Sequence, residues 1–433
     1  MTPQIKQRIE QIRRGEVPEG YKKTKVGIVP EEWEEKRISD VLTQRKTLIC
    51  VSEDAPLLSF TIEEGVIDPA DKKSNKRDFL IKDMATKKFA LTEVGDIIYN
   101  PANLKFGAIH SNNLRRGVVS PIYGVFYGLQ NSTFIGYLLH NQRFIDYAKV
   151  YTEGTVEKLK TLKPDIFLRL KIAFPPLPEQ EKIAEILQTQ DKVIELQQKK
   201  IDELKRLKKV YLSKMFPKKG CNVPEIRFPG FTDPWEQRKL GEVAQSFEYG
   251  LNAAAKEYDG INKYLRITDI DDASRKFNTD NLTSPDTGLE TAENYRLVDG
   301  DILFARTGAS VGKSYIYRAV DGLVYFAGFL IRARIKPEYD AEFIFQNTLS
   351  ESYGKYIQVA SQRSGQPGVN AQEYADYKLY LPTYDEQHKI GAFLRSLDNL
   401  ITLHQRKCDE EKQKKKALMQ LLLTGIVRVE VKQ

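Results

Sequence analysis

The chain is written twice. "WEEKRISDVL" from Trp33 returns as "WEQRKLGEVA" from Trp235, and these carry the only two tryptophans. "VGDIIYN" from Val94 returns as "DGDILFA" from Asp299, and "FPPLPEQEKIAEIL" from Phe174 returns as "LPTYDEQHKIGAFL" from Leu381. The order is kept while the offset grows only from 202 through 205 to 207 residues, which indicates a tandem duplication with small loop insertions. Whatever one copy folds into, the other must fold into as well.

Each copy begins with a mixed segment of short β-type runs and Gly, Asn and Asp turns, such as "VVSPIYGVFYGL" and "GLVYFAGFLIRARI". Each then closes on a proline-bearing stretch and enters a long charged helical run. In the first run Ile183, Leu187, Gln190, Ile194, Gln197, Ile201, Leu204, Lys208, Tyr211 and Met215 step by four and three. Their counterparts 207 residues on are Ile390, Leu394, Leu397, Ile401, His404, Cys408, Glu411, Lys415, Leu418 and Leu422. A seam this narrow predicts a coiled-coil pair of helices of about 37 residues, each about 55 Å long. Pro178 and Asp385 suit a first helical turn, and "FPKKG" and "LTG" supply breakers at the far ends. One reading of the polar seam residues Gln190, Gln197 and His404 is that they merely tune register; the alternative is that the helices have faces for other subunits. That alternative rests on "LKRLKKVYLSKMF" and "KALMQLLL", which hold more apolar residues than one seam consumes.

The predicted fold class is therefore α+β: two globular domains in a pseudo-twofold tandem repeat, separated by two long antiparallel α-helices that form a coiled-coil spacer. The expected segments are an N-terminal helix and arm (1–30), a first domain (31–177), a first helical spacer (178–216) and a linker (217–230). A second domain (231–383), a second helical spacer (384–424) and a tail (425–433) follow. The first thirty residues, with "KQRIEQIRR", have no counterpart in the second copy.

At 433 residues, 41% hydrophobic and 29% charged, the chain is long enough for two or three domains and reads as soluble. No stretch approaches the roughly 18 apolar residues of a membrane span, and the N-terminus has no apolar signal core, so a cytoplasmic location is expected and a membrane partner is not. Cys50, Cys221 and Cys408 are odd in number and far apart, and His110, His140, His388 and His404 do not cluster with carboxylates. Neither a disulfide framework nor a metal is expected. The formal charge of +8 favours an anionic partner. Residues 179–216 carry nine basic and seven acidic side chains and residues 385–424 eight and six, so the attraction resides chiefly outside the helices.

"RTGASVGKS" from Arg306 has the look of a phosphate-gripping loop. A nucleotide-binding loop of that kind needs four residues between its glycines, and only Ala309, Ser310 and Val311 separate Gly308 from Gly312. The following "YIYRAV" is β-type, so no helix N-terminus would hold phosphate. At the corresponding place in the first copy, "NPAN" from Asn100 lacks the second proline and the aromatic of the "NPPY" tetrapeptide of amino-methyltransferases, and no glycine-rich cofactor loop accompanies it. Catalysis by the chain itself is not expected.

The duplicated "PPLPEQEKIAEIL" and "PTYDEQHKIGAFL" entries into helices, the paired "GDI" strands and the "RTGASVGK" loop, taken in order, resemble the DNA specificity subunit of Type I restriction-modification systems. The resemblance runs from about Trp33 to Thr424. It implies two target recognition domains, each inserted into the major groove of one half of a split double-stranded DNA target, with the helix pair setting the gap. It implies a subunit that binds no cofactor and has no catalysis of its own. Its implied partners are two methyltransferase subunits, which use S-adenosylmethionine to methylate adenine at N6, and two motor-nuclease subunits, which use ATP and Mg2+ to translocate and cut. Because the two recognition segments differ strongly while the helix entries agree, the target should be asymmetric. The rival reading is a coiled-coil scaffold whose two domains bind proteins.

Candidate DNA-contacting residues follow from side-chain chemistry. "DKKSNKRDF" offers Lys72, Lys73, Ser74, Asn75, Lys76 and Arg77; "NPANLKFGAIH" offers Asn103 and Lys105; Arg115 and, beside it, Arg116 are weaker candidates. In the second copy the glycine loop offers Arg306, Thr307, Lys313 and Ser314, and "SQRSGQPG" offers Gln362, Arg363 and Gln366. A solvated loop or a plain hairpin turn is the competing explanation for each.

Overall fold

The computed structural model describes residues 2–72, 86–129, 131–153, 160–218, 220–362 and 367–430. Two compact units divide the chain: residues 1–196 with 408–433, and residues 197–407.

The first unit is built on a four-stranded antiparallel sheet of β1 (Leu42–Gln44), β2 (Ile97–Tyr99), β3 (Ile109–Ser111) and β4 (Gly124–Gly128), in the order β3-β2-β4-β1. Alternation along the strands divides its side chains between two cores. Ile97, Tyr99, Ile109 and Phe126 pack with α1 (Ser132–His140) and with the start of α2 (Leu177–Lys214). Ile98 and Val125 face the other way, toward Leu58, Val66, Ala90 and Val119.

The second unit repeats this plan. Its sheet holds β5 (Ala244–Tyr249), β6 (Ile302–Ala305), β7 (Ser314–Ile316) and β8 (Leu330–Ile335), in the order β7-β6-β8-β5 and again antiparallel. Ile302, Phe304, Ile316 and Ile331 pack with α3 (Ala341–Asn347) and with the start of α4 (Tyr384–Leu422), while Leu303, Ala305 and Leu330 face Leu265, Val324 and Phe326. The "GDI" motif does the same work in both sheets. Gly95 and Gly300 turn at φ of 90° and 87°. The following Asp96 and Asp301, 2% and 1% exposed, accept the backbone N–H groups of Glu93 and Val298 and pair with Arg45 and Arg334.

The helices α2 and α4 have 38 and 39 residues. In the first unit Ile183 and Leu187 of α2 pack with Leu418 and Leu422 of α4, and Gln190 donates to the backbone carbonyl of Glu411 at 3.2 Å. In the second unit Gln197 meets His404 at 2.8 Å, Lys208 meets Asp398 at 2.6 Å, and Tyr211 stands edge-on to Phe393 with ring centroids 4.8 Å apart. Residue numbers rise along one helix as they fall along the other, so the helices run antiparallel within each unit. Ile183, Leu187, Ile201, Leu204, Ile390, Leu394, Leu397 and Leu422 are buried in the seam, and Ile194, Ile401 and Leu418 are half-buried.

The repeated "EQ" at each helix entry closes its first turn. Gln180 and Gln387 donate back to the carbonyls of Pro175 and Pro382 at 2.9 and 2.8 Å. Glu179 accepts Arg428 at 2.6 and 2.8 Å together with the Trp33 indole at 3.2 Å, and Glu386 accepts Arg227 at 2.9 and 2.7 Å. The N-terminal helix Pro3–Arg13, capped by Thr2, and the hairpin of Tyr21–Thr24 with Gly27–Pro30 also hold the tail: the Tyr21 hydroxyl donates to Gly425 at 2.7 Å and Arg8 to Ile426 at 2.8 Å. Among the described residues no helix is long and apolar enough to cross a membrane.

Between β3 and α1, the rings of His110 and His140 lie 4.4 Å apart and bond the carbonyls of Ile62 and Ile109. Burial, and then the neighbouring His140 ring, push His110 down to about 4. Burial also lowers His140; Lys415 acts in the same direction, while Asp191 opposes it. An unfolded imidazole titrates near 6.5, so between that pH and about 4 the unfolded chain binds protons that the fold rejects. The contribution is fully present above the unfolded value and declines as pH falls through this window. Urea unfolding of the first unit should therefore shift to lower denaturant on going from about pH 7 to about pH 5. His110→Gln should flatten that shift, and an unchanged pH dependence in the variant would contradict the assignment.

Candidate nucleic-acid interface

At one end of each sheet, β2 or β6 leads into a loop that holds a 3-10 turn and closes on a left-handed glycine before the next strand. In the second unit the turn is Gly308–Ser310 and the glycine is Gly312 at φ 80°. In the first unit they are Leu104–Phe106 and Gly107 at φ 88°. A side chain at Gly312 would meet Ile357 at 2.4 Å as well as strain the backbone, so only glycine fits. The chain then enters β7 rather than a helix, so the loop cannot grip phosphate with a helix N-terminus.

This placement corrects part of the sequence reading. Lys313 is 6% exposed, with its ammonium bonded to the Ile270 carbonyl at 3.0 Å and to Asp272 at 2.5 Å. Ser314 is 1% exposed and shares a hydrogen bond with Thr348 at 2.7 Å. Both faces of β7 are buried, so neither residue is presented outward.

Arg306 and Thr307 do stand at the sheet end. The Arg306 guanidinium lies over the Tyr249 ring, 5.0 Å from its centroid, and its backbone N–H donates to Phe329 at 3.1 Å. Thr307 bridges to Gly368, and Val369 donates to the Arg306 carbonyl at 2.9 Å. The tip is rigid because buried tyrosines brace it: Tyr374 donates to the Ala305 carbonyl at 2.7 Å and Tyr353 to that of Gly312 at 3.0 Å. Beside it Gly250 lies so close to the Ala327 carbonyl that a Cβ would come within 2.1 Å. Tyr249 and Phe329 remain 45% and 60% exposed. Gln362 is exposed just beyond the helix Glu351–Ala360. Arg363 and Gln366 lie outside the described residues, as do Lys73, Ser74, Asn75, Lys76 and Arg77.

In the first unit the same sheet end carries Asn103, Lys105, Phe106 and Ile122. Asn103 is half-buried, the Lys105 ammonium lies 5.3 Å from the Phe106 ring centroid, and Phe106 and Ile122 are 63% and 66% exposed. Ile122 and Phe329 are equivalent, since Gly124 pairs with Tyr99 and Ile331 with Phe304. Arg115 and Arg116 are exposed and paired with Asp68 and Glu93, and Lys72 follows the 3-10 turn Pro69–Asp71.

Sequence reasoning missed Tyr249, Phe329, Phe106 and Ile122. In "GLVYFAGFLIRARI" one apolar run covers both the buried β8 and the exposed Phe329, and only the adjoining glycines mark where the strand ends. An exposed ring beside a guanidinium on a braced tip can place apolar surface against thymine methyls and charge against guanine or phosphate.

The family model for the Type I restriction modification DNA specificity domain matches residues 30–206 and again 232–412. The specificity subunit of the MjaVIII Type I restriction enzyme of Methanocaldococcus jannaschii is 26% identical over 423 residues, covering 93% of this chain and 94% of that protein. The crystal structure of a Type I restriction-modification S subunit from M. genitalium aligns over 90% of this chain and 96% of its own, at 15% identity and a TM-score of 0.58. A chain from a structure describing complex assembly and conformational transition of a type I R-M system aligns over 92% and 99%, at 15% identity and a TM-score of 0.52.

Replacing Arg306 or Phe329 by alanine should weaken duplex binding by about tenfold with little change in thermal stability. Lys313→Met should do the reverse, lowering stability by leaving the Ile270 carbonyl without its buried donor, since the exposed Asp272 carboxylate is solvated by water. Fluorescence anisotropy and thermal melts on the three variants check this, and the opposite pattern would contradict the assignment of the tip.

Proposed function

The chain belongs to the Type I restriction-modification DNA specificity family, and on that footing we propose that it reads a bipartite, asymmetric duplex target, one half through each recognition domain. The observation that carries this reading is the recurrence of one sheet end with unlike side chains. The same strand order, the same 3-10 turn and the same closing glycine present Lys105, Phe106 and Ile122 in one unit and Arg306, Tyr249 and Phe329 in the other. A duplicated scaffold with conserved backbone and divergent tips suits two different half-sites, since duplex DNA offers each tip the same groove with different base edges.

The helix pair, by this reading, sets the gap between the half-sites. Its exposed apolar residues, among them Leu207, Val210, Leu400 and Leu403 in the second unit, suit contacts with two methyltransferase subunits. Those subunits would supply S-adenosylmethionine chemistry at adenine N6. Two motor-nuclease subunits using ATP and Mg2+ would complete a restricting complex, and this chain would contribute recognition and assembly without a cofactor.

Replacing residues 31–177 by the corresponding region of another specificity subunit tests the reading. Methylome sequencing of cells expressing the chimera with the partner subunits should show one half of the methylated target exchanged and the other half retained. A target unchanged on both sides would favour a protein-binding scaffold instead.

A further inference from the structure

A polar cluster ties each recognition domain to the helix pair. In the second unit Lys208 of α2 bonds both carboxylate oxygens of Asp398 of α4, at 2.6 and 2.7 Å. One of these oxygens also accepts the side-chain amide of Gln346 of α3 at 2.9 Å. Gln346 reaches Glu342 at 2.9 Å as well, and Arg318 holds the other oxygen of Glu342. In the first unit Lys415 of α4 pairs with Asp191 of α2 at 2.5 Å, and the Tyr137 hydroxyl of α1 donates to the other oxygen of Asp191 at 2.5 Å. Lys415 also lies over the Tyr137 ring, 5.2 Å from its centroid.

The two clusters are one design. Asp191 and Asp398 are separated by the 207 residues of the repeat, as are Lys208 and Lys415, so the helices exchange the acidic and basic roles. The third member comes from the same docking helix in each domain but differs in kind, a phenol in one and an amide in the other.

A seam ion pair alone would only set helix register, and for that no third partner is required. Gln346 is fully buried, and its own carbonyl oxygen has no hydrogen-bond partner. A leucine of similar volume would fill the space equally well but would strip a donor from both Glu342 and Asp398, so packing alone does not explain the amide. What the amide adds is direction: it aims one face of α3 at one carboxylate of α4. Burial, reinforced by the bond to Asp191, pushes the Tyr137 phenol above its ordinary value, so it remains a donor even in alkaline solution.

We propose that Tyr137 and Gln346 are positioning residues that fix the angle of each recognition domain on the helix pair, and thereby the gap between half-sites that the complex accepts, without touching the choice of bases. This rests on the functional reading above.

The test uses the full chain assembled with its methyltransferase partners and duplexes carrying the methylome-defined target with the gap unchanged or altered by single base pairs. Wild type should reject the altered gaps. Tyr137→Phe and Gln346→Leu, each leaving its Lys–Asp pair in place, should keep the same base preference while losing discrimination between gaps by about tenfold, the worth of one hydrogen bond to a charged group. The variants lie in different units, so failure of one to fold leaves the other decisive. A folded variant that binds every gap more weakly by the same factor, or one whose base preference changes, would overturn the proposal. A wild-type chain without preference for any bipartite sequence would instead overturn the functional reading beneath it.

Discussion

Glu179 and Glu386 enter the first turns of α2 and α4 with 2% and 1% of their surface exposed, and a carboxylate so placed is tolerable only beside a cation. In each unit that cation comes from the segment that follows the other long helix: Arg428, beyond α4, serves Glu179, and Arg227, beyond α2, serves Glu386. Neither helix can begin in the folded state unless the other has ended beside it. The antiparallel seam thus follows from charge as well as from its apolar stripe. An isolated helix of either sequence would carry an unpaired glutamate and an unsatisfied apolar face.

The recognition domains hang on this seam by their docking helices, and their sheets are held in turn by the buried aspartate of the "GDI" turn. With those two anchors in place the sheet ends are free to differ. The braced loop after β2 or β6 keeps its backbone while its outward side chains change, so affinity for a new sequence could be acquired without disturbing the core. This separation of frame from tip lets the outward side chains change without altering the fold that presents them.

Much of this was legible from the repeat. The duplicated helix entries located α2 and α4, the four-and-three stepping identified Ile183, Leu187, Ile390 and Leu394 as seam, and the count between glycines excluded a nucleotide loop at Gly308. Lys313 misled because a cation next to a turn glycine reads as exposed. Only the pairing of β6 with β7 turns it toward Ile270. Tyr137 and Gln346 carried no signal at all, because their partners lie 54 and 52 residues away and are set by how a short helix docks on a long one. Phe329 and Ile122 were hidden for the opposite reason: exposed apolar residues at strand ends look like core until the strand's last hydrogen bond is known.

The central claim is that the helix pair, with the domains docked on it, sets the gap without touching the choice of bases. Inserting seven residues at facing positions of α2 and α4 preserves the seam repeat while lengthening the pair. Methylome sequencing with this variant should return the same bases in both halves of the target, separated by a longer gap. An unchanged gap, or altered bases in either half, would contradict the account.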